Sequence, residues 1–535
     1  LEEDANCLIT NINQAYNTSC PEKQRSTNRD VSWWNDRLEK LRKKSRKLFN
    51  RAKDTSNCSQ YKEALSEYNR GIRRSKRKDW RHMCENIESA PETARLQKVL
   101  SKDHTNGLGT LKKADGSFTK NTTETLELMM QTHFPESFST TDQIPDHNYA
   151  QASISSGYVD RNEARTNNAL CGTELSNKEA VHLADTIFTI YKIEWAIDDL
   201  SPFKSPGPDG VFPIHIQKGK GLIIPVLIKL FKSSFLLEYI PEKWRKVRVV
   251  FIPKANKKDK TSPKSFRPIS LSSIFLKLME KLIDEYIKSK VLPTNPLSKY
   301  QFAYQSGKST ITALHTLVAK VEKSFTAKEI LLAAFLDIEG AFDNASFSSM
   351  TKAMKNRGFN KYIIDWVVEM LSKREISAQL GDSSVTVIAT KGCPQGGVLS
   401  PLLWSLVVDD LLLKLKQQGF EIIGFADDIV IIVRGKFDKI VSDRMQQALN
   451  LILSWCNDEG LNINPKKTTV LPFTKRRNVL INDLKLGDVK LSLSLDVKYL
   501  GVTLDSKLCW NKHIEQQIAK ATNAFWICKR TFGKK

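Results

Sequence analysis

Two adjacent aspartates, Asp427 and Asp428, stand between two short apolar runs that are rich in β-branched residues. Runs of that length and composition are typical of buried strands. A junction between buried strands does not hold two neighbouring carboxylates unless a positive charge offsets them. The simplest arrangement is a tight hairpin with both aspartates at its turn, facing a cation. The pattern therefore predicts an active site built from acidic side chains.

Two other aspartate pairs show how far the context matters. Asp198-Asp199 ends a helical stretch, where exposed carboxylates need no further role. Asp409-Asp410 lies in the apolar run 399–415, which Pro401 opens and which is better interpreted as a buried helix. Adjacent side chains on a helix point about 100° apart, whereas a hairpin turn places them rigidly. Only Asp427-Asp428 has the context of a catalytic site.

A third carboxylate comes from Asp337, which ends the apolar run 331–336, with Gly340 allowing the chain to turn away. Taken alone, Asp337 could equally well be a helix N-cap. Two strands that deliver aspartates to the same sheet face instead predict a site for two divalent ions about 4 Å apart, the layout used in phosphoryl transfer. All-oxygen ligands favour Mg²⁺ over zinc.

Three motifs follow one another around these aspartates. They are Leu336-Asp337-Ile338-Glu339-Gly340-Ala341-Phe342-Asp343, Gly392-Cys393-Pro394-Gln395-Gly396-Gly397-Val398-Leu399-Ser400-Pro401 and Phe425-Ala426-Asp427-Asp428. In order and spacing they resemble the reverse transcriptase of a non-LTR (LINE-type) retrotransposon, closest to the Jockey-like group. The resemblance implies an α+β right-hand polymerase with fingers, palm and partial thumb, preceded by a basic α-helical N-terminal extension.

Segments on both sides of these motifs resemble the same family. They comprise a turn before the fingers (204–210), two fingers strands (250–254 and 265–270), a late palm motif (460–468) and a primer-grip turn (497–502). The likeness covers most of residues 33–535 and is sharpest from about 200 to 505. Residues 33–80 resemble the linker that follows the family's endonuclease.

The resemblance implies a role for each matched side chain. The catalytic and metal-binding carboxylates would be Asp337, Asp427 and Asp428. The nucleotide-binding residues would be Lys254, Arg267, Phe342, Gln395 and Lys467. An arginine fork suits a triphosphate, and an aromatic ring beneath the sugar leaves no space for a ribose 2′-hydroxyl. Glu339 and Asp343 receive no metal role, because exposure to solvent or a position at a helix start would account for them.

The net charge of +23 indicates a polyanionic partner, nucleic acid before an acidic membrane. Residues 37–81 hold 17 Lys and Arg against 5 Asp and Glu, and their apolar residues recur at helical spacing on both sides of Thr55-Ser56-Asn57. We expect two antiparallel basic helices that contact phosphates through Lys43, Lys44, Arg46, Arg73, Arg74, Lys76 and Arg77. A merely solvated helical face remains the alternative.

Other classes of protein find little support. No apolar run approaches the eighteen or so residues of a spanning helix, and the nine cysteines form no Cys-x-x-Cys pair, so a membrane partner and a zinc module are not expected. Gly307-Lys308-Ser309-Thr310 resembles the end of a phosphate-binding loop, but Phe302 stands where that loop needs a glycine. An ATPase site is therefore rejected.

The predicted organisation has five parts. Residues 1–32 are a polar tail of a preceding region, 33–100 a basic helical linker, 101–200 an N-terminal extension with a mobile insert near 135–175, 201–505 the fingers and palm, and 506–535 the start of a thumb. Within the extension, we expect a hairpin turn at Lys113-Ala114-Asp115-Gly116 and a helix from about Thr122. Because the chain begins with Leu1 and ends on Lys534-Lys535, it is expected to be an internal piece of a polyprotein.

The expected function is RNA-directed DNA polymerisation, in which two Mg²⁺ ions support transfer of deoxynucleotides to a primer 3′-hydroxyl. The resemblance implies an RNA template, a DNA primer or nicked target DNA, dNTPs, and an endonuclease domain of the same polyprotein outside this chain. It also implies a nuclear site of action with assembly in the cytoplasm. Two alternatives stay open, namely a group II intron-type reverse transcriptase and an inactive element copy that only binds nucleic acid.

Overall fold

A computed structural model describes residues 1–20, 32–55, 58–86, 108–139, 170–254 and 259–532. The α-helices are α1 (Glu2–Ser19), α2 (Asp36–Thr55), α3 (Ser59–Glu85), α4 (Thr122–His133), α5 (Pro135–Ser139), α6 (Leu170–Ile187), α7 (Ile190–Asp198), α8 (Pro213–Lys218), α9 (Lys220–Leu236), α10 (Glu242–Arg245), α11 (Ile274–Tyr286), α12 (Thr310–Thr326), α13 (Ala341–Asn344), α14 (Phe347–Asn356), α15 (Lys361–Ser372), α16 (Ser400–Gln417), α17 (Asp438–Asp458) and α18 (Asn511–Phe532). The strands are β1 (Lys246–Pro253), β2 (Phe266–Ser272), β3 (Ile330–Glu339), β4 (Glu375–Leu380), β5 (Ser383–Ile388), β6 (Glu421–Phe425), β7 (Asp428–Gly435), β8 (Asn462–Ile463), β9 (Thr469–Phe473), β10 (Leu484–Leu486), β11 (Val489–Leu491), β12 (Asp496–Tyr499) and β13 (Val502–Asp505).

The chain divides into two compact units. The first contains residues 1–19 and 109–513, and the second contains residues 20–108 and 514–535. Helices and mostly antiparallel sheets alternate irregularly in the first unit, which confirms the predicted α+β class. Among the described residues, no helix is both long enough and apolar enough to cross a membrane.

The central sheet of the first unit is built around β3. Its strand order is β6-β7-β3-β8, and β9 also pairs with β3. Almost every side chain of β3 is buried, and alternate residues enter different cores: Leu332 and Ala334 join one cluster, whereas Leu331 and Ala333 join the other. Since strand side chains alternate between faces, an apolar run without polar interruption specifies a strand covered on both sides. β3 therefore has little freedom to shift the aspartate at its end.

A second sheet has the strand order β2-β1-β4-β5. Its strands β1 and β2 form an antiparallel pair that places Ile252 opposite Arg267, and β4 lies parallel to β1 on the other side. β1 and β2 contain most of segments 250–254 and 265–270, and their assignment to the fingers stays a prediction. Asp209, in the turn before the fingers, accepts a hydrogen bond from Ser273 Oγ at 2.6 Å and so ties that turn to the end of β2.

Helix α1 was missed by the sequence analysis, which assigned residues 1–32 to a polar tail. Its residues Ala5, Ile9 and Ile12 are buried in the larger core, and Asn13 Nδ2 donates to the backbone oxygen of Asp209 at 2.9 Å. A narrow stripe of three apolar side chains on a polar helix gives a weak periodic signal, which explains the omission. The structure therefore adds a packed helix at the start of the chain.

Two local predictions in the N-terminal extension are confirmed. Lys113 and Gly116 close a turn through a 3.1 Å backbone hydrogen bond, and Lys112 bridges Phe118 across it. Helix α4 begins at Thr122, where the Asn121 side chain caps it by accepting from Glu124 N. Of the insert expected near 135–175, residues 140–169 lie outside the described part of the chain.

The second unit contains the predicted basic helical hairpin. Helices α2 and α3 pack antiparallel, with Asn35 Nδ2 donating to Ser75 Oγ at 2.9 Å near one end and Lys44 pairing with Glu67 at 3.1 Å further along. The interhelical face is narrow and apolar, with Leu38 only 2% exposed, whereas the basic side chains point outward. The predicted helix after Trp510 is also observed, as α18.

Candidate active site

Strands β6 and β7 form the hairpin that the sequence predicts. Phe425 pairs with Asp428 across the strands, so Ala426 and Asp427 make the two-residue turn. Ala426 has a φ of +57°, in the left-handed region that an alanine enters at a cost of about 1–2 kcal/mol. Strain of this kind persists only where surrounding contacts impose it. Contacts with the surrounding structure therefore keep Ala426 in the left-handed conformation.

The third aspartate reaches the same place from β3. In the β3–β7 ladder, Asp337 lies directly opposite Asp428. Residues that face each other across antiparallel strands have Cβ atoms roughly 4.5–5.5 Å apart. Because Asp427 precedes Asp428 in the turn, all three predicted carboxylates come together at one end of the sheet.

These carboxylates share an excess of negative charge. Burial, followed by the charges of Asp427 and Asp337, raises the pKa of Asp428 to about 7. Burial and the Asp337 charge likewise raise the pKa of Asp427. The nearest compensating group is Lys467, whose Nζ lies 2.5 Å from Asp337 Oδ2. One lysine beside three carboxylates leaves the site short of positive charge.

The donor set suits a divalent cation of the Mg²⁺ type, because all three side chains offer oxygen. Within the described residues, however, no three His, Cys, Asp or Glu side chains are already gathered into a complete metal cage. The ion pair between Lys467 and Asp337 engages one of the oxygens that such a cage would use. The geometry thus brings the ligands into proximity without fixing a final coordination.

Gln395 sits where the palm meets the fingers. Its Nε2 donates to Asp343 Oδ2 at 2.8 Å, and its backbone oxygen accepts from Ser270 N at 2.8 Å. Burial raises the pKa of Asp343 to about 7. Asp343 lies in the first turn of α13, which is the helix-start position suggested for it, and it is half-buried. Asp343 orients Gln395 and thus belongs to the surroundings of the site.

Buried charged groups anchor the loop that carries Gln395. Glu280, 1% exposed on α11, accepts from Val398 N at 3.1 Å, and burial raises the pKa of Glu280 to about 7. Arg374, 3% exposed, donates to Gly392 O at 2.5 Å. A Cβ atom at Gly392 would lie 2.4 Å from Asp343 O, so the close approach of the two segments requires glycine. The loop is rigidly supported from beneath.

Three further predicted nucleotide-binding residues are Phe342, Arg267 and Lys254. Phe342 is half-buried, with its ring centroid 6.2 Å from that of Trp404. Arg267 is exposed, and its positive charge opposes the rise in the pKa of Asp427. Lys254 Nζ donates to Lys264 O at 2.7 Å. Their contacts with a nucleotide stay a prediction.

Two residues near the turn escaped the sequence analysis altogether. Gln301 is fully buried, and its Oε1 accepts from Ala426 N at 3.2 Å. Trp404, also fully buried, donates from Nε1 to Ala426 O at 3.1 Å. Nothing in the sequence marks either residue, because each acts on a turn that lies far along the chain. The rejected phosphate-loop motif, by contrast, contains Ser309, which caps α12.

A family model described as "Reverse transcriptase (RNA-dependent DNA polymerase)" matches residues 252–504, the stretch that holds all three aspartates and their supports. Residues 252–504 are a reverse transcriptase domain. This stretch lies within residues 201–505, for which the fingers and palm are predicted. The family generally uses divalent metal ions and acts on a nucleic-acid template and primer.

The curated relatives that the chain matches are proteins of non-LTR retrotransposons. The chain is 28% identical over 333 residues to the probable RNA-directed DNA polymerase from transposon BS of Drosophila melanogaster, covering 61% of this chain and 36% of that protein. The RNA-directed DNA polymerase from mobile element jockey of the same species gives the same values. A Pol polyprotein from the type-1 retrotransposable element R1 of Bradysia coprophila is 27% identical over 334 residues, with 62% and 33% covered. The chain spans about a third of the length of these relatives.

Proposed function

We propose that this chain is the RNA-directed DNA polymerase of a non-LTR retrotransposon and that it extends DNA primers on an RNA template. One observation carries the proposal: Asp337 lies opposite Asp428 on adjacent strands, beside Asp427 at the hairpin turn. Placing three oxygen-donor side chains at a strand end is the requirement for two-metal phosphoryl transfer. The related polymerases of BS and jockey support the choice of RNA as template.

In the reaction, the primer 3′-oxygen forms a bond to the α-phosphorus of a dNTP, the bond from that phosphorus to the pyrophosphate oxygen breaks, and the 3′-hydroxyl proton is lost. Asp337, Asp427 and Asp428 would hold two Mg²⁺ ions. When bound, such ions activate the attacking oxygen and neutralise charge on the leaving pyrophosphate. The three carboxylates thus supply the charge that keeps both ions next to the reacting phosphate.

The surrounding side chains would position the nucleotide. Arg267 and Lys254 on the fingers strands, together with Lys467 on the palm, offer positive charge to the triphosphate. The Phe342 ring would lie beneath the sugar and would exclude a ribose 2′-hydroxyl. Gln395, oriented by Asp343, would reach the nucleotide or the template backbone.

The basic hairpin of the second unit would contact the phosphates of template or target. All seven predicted side chains, from Lys43 to Arg77, are exposed on α2 and α3. Lys76 additionally lies 4.6 Å from the centroid of the Trp33 ring, which fixes its position. If several of them bind phosphates, replacing Arg73, Arg74 and Arg77 by glutamine should weaken RNA binding. The slope of the logarithm of the binding constant against the logarithm of the salt concentration should become shallower by about 0.7–0.9 for each lost contact.

The same proposal covers the biological setting. Priming from nicked target DNA would require an endonuclease domain of the same polyprotein, and the work of such an element on chromosomal DNA would take place in the nucleus. Support for both comes from the resemblance to non-LTR polymerases rather than from a contact in this chain.

Primer extension tests the proposal. The full chain is incubated with a DNA primer annealed to an RNA template, dNTPs and Mg²⁺, in parallel with an Asp427→Asn/Asp428→Asn variant. Extension by the first and not by the second is expected. If neither extends while both bind the primer–template equally, the chain is an inactive nucleic-acid-binding copy. If both extend, the carboxylates are wrongly assigned.

A further inference from the structure

The turn that carries Asp427 is unusual in how its backbone is satisfied. Ala426 lies between β6 and β7, in the left-handed region at φ +57°, and is 7% exposed. A buried peptide group needs a hydrogen-bond partner, and the two-residue turn leaves Ala426 outside the strand ladder. Both of its polar groups are instead taken up by side chains from other parts of the chain.

The N–H of Ala426 is held by Gln301. The Oε1 atom of this fully buried side chain accepts from Ala426 N at 3.2 Å, and also from Phe302 N and Ala303 N at 3.0 Å each. The backbone around Gln301 lies against the same hairpin, since Gly424 N donates to Tyr300 O at 2.8 Å. Gln301 is thus fixed from both sides before it reaches the turn.

The carbonyl of Ala426 is held by Trp404. Its Nε1 donates to Ala426 O at 3.1 Å from within helix α16, and the whole side chain is buried. The same indole ring lies 6.2 Å from the ring of Phe342. Trp404 therefore contacts the aspartate-bearing turn and the aromatic residue that would face the nucleotide sugar.

We propose that Gln301 and Trp404 form a clamp on Ala426 that holds the turn in its left-handed conformation and thereby aims Asp427 and Asp428 at the metal ions. Both are positioning residues, because they act through the peptide groups of Ala426 rather than on the substrate. The inference rests on the proposed function for its metal ions. Its physical basis is that an alanine relaxes out of the left-handed region when the contacts imposing it are removed.

The decisive variant is Trp404→Phe, which keeps an aromatic ring in the core but removes the Nε1 donor. A matched control exists in Trp366, which is also fully buried and whose Nε1 has no hydrogen-bond partner among the described residues. Trp366→Phe changes the core volume equally and breaks no contact with the turn. The two variants therefore separate loss of packing from loss of the clamp.

Two readouts are compared for the full chain and both variants. One is single-nucleotide primer extension, giving kcat, the KM for dNTP and the Mg²⁺ concentration at half-maximal rate. The other is the rise in melting temperature caused by Mn²⁺ or Mg²⁺, which needs no catalysis. For Trp404→Phe we expect kcat to fall and the half-maximal Mg²⁺ concentration to rise by about 10-fold each, as for other residues that orient metal ligands, with little change in KM. The metal-induced rise in melting temperature should shrink in parallel, while Trp366→Phe should match the parent chain.

A second variant protects the test against misfolding. Ala426→Gly makes the left-handed conformation available without strain, so adding it to Trp404→Phe should restore part of the lost metal response. Gln301→Leu, which removes the other half of the clamp, should reproduce the weakened metal response.

The outcomes separate the clamp from the function it serves. If Trp404→Phe and Trp366→Phe give the same kcat and the same metal-induced shift, the clamp is refuted. If the parent chain extends no primer, the proposed function fails, but the metal-induced shift still supports or refutes the clamp. A loss for Trp404→Phe that Ala426→Gly does not relieve would also overturn it, because misplacement of the turn would then not be the cause.

Discussion

The aspartate pairs Asp409-Asp410 and Asp427-Asp428 differ in whether other side chains neutralise them. Asp409, on helix α16, is 1% exposed, accepts from Ser298 N at 2.6 Å and forms an ion pair with Arg357. Its neighbour Asp410 accepts from Trp455 Nε1 at 3.0 Å. Every charge of this pair has a partner, so the pair serves the fold.

Asp427 and Asp428, in contrast to Asp409 and Asp410, lack ion-pair partners among the described residues. Both are half-buried, and within the described residues neither forms an ion pair with a lysine or arginine. Lys467 forms its ion pair with the neighbouring Asp337. Burial and mutual repulsion raise the pKa of both side chains, which is a cost that the folded chain carries in the absence of a cation. The Asp409-Asp410 pair is therefore neutralised by the fold, whereas Asp427 and Asp428 are brought together without a neutralising side chain among the described residues.

The largest contrast should come from Asp428→Asn. Removing this carboxylate should lower primer extension by roughly 10³-fold, the equivalent of several kcal/mol of lost charge stabilisation in the transition state. The same change relieves repulsion, so the melting temperature without metal should rise. Extension assays and metal-free thermal denaturation measure the two effects. A fall in both quantities would show that Asp428 serves the fold as Asp409 does.

Asp409→Asn should do the reverse. It leaves Arg357 uncompensated at a site where the arginine side chain is 10% exposed. Breaking a buried pair from one side typically costs about 3–5 kcal/mol. Urea denaturation should show this loss, while extension per folded molecule stays unchanged. Adding Arg357→Met should recover part of the stability; without that recovery, the ion pair would not be the cause.

Glu280→Gln should change the pH dependence of stability. The unfolded glutamate has its ordinary pKa of 4.5, and burial raises the pKa of the folded one to about 7, so the folded chain binds more protons between these two pH values. Stability of the parent chain should fall as pH rises through this window, and the variant should escape that fall. Relative to the parent, the variant should gain about 1–3 kcal/mol between pH 5 and pH 8 in urea denaturation. An exposed control, Glu322→Gln, should show no such trend.

The smallest effect is expected for Asp410→Asn. Asparagine can still accept from Trp455, and only the partly exposed ion pair with Lys414 is lost. Such surface pairs contribute about 0–1 kcal/mol. Urea denaturation should therefore separate Asp410→Asn clearly from Asp409→Asn. Equal losses of stability for the two variants would indicate that Asp409 and Asp410 act as one unit.

The local pattern of residues was sufficient for the core of the site. An unbroken apolar run specified β3, and two β-branched runs around an aromatic, an alanine and two aspartates specified the β6–β7 hairpin. Their order along the chain then predicted the family. Alternation and turn chemistry act over a few residues, so they can be recognised without knowing what lies nearby in space.

Only the packing of distant segments determines which charged side chains form ion pairs and which residues hold the turn at Ala426. Arg357 meets Asp409 across 52 residues, Gln301 meets Ala426 across 125, and Asp343 was given no part in the site although it orients Gln395. These contacts depend on how distant segments pack, and a charge or an amide carries no mark of its future partner. Local sequence patterns were sufficient to predict which carboxylates converge, whereas the packing of distant segments pairs Lys467 with Asp337 and gives Asp427 and Asp428 no lysine or arginine partner among the described residues.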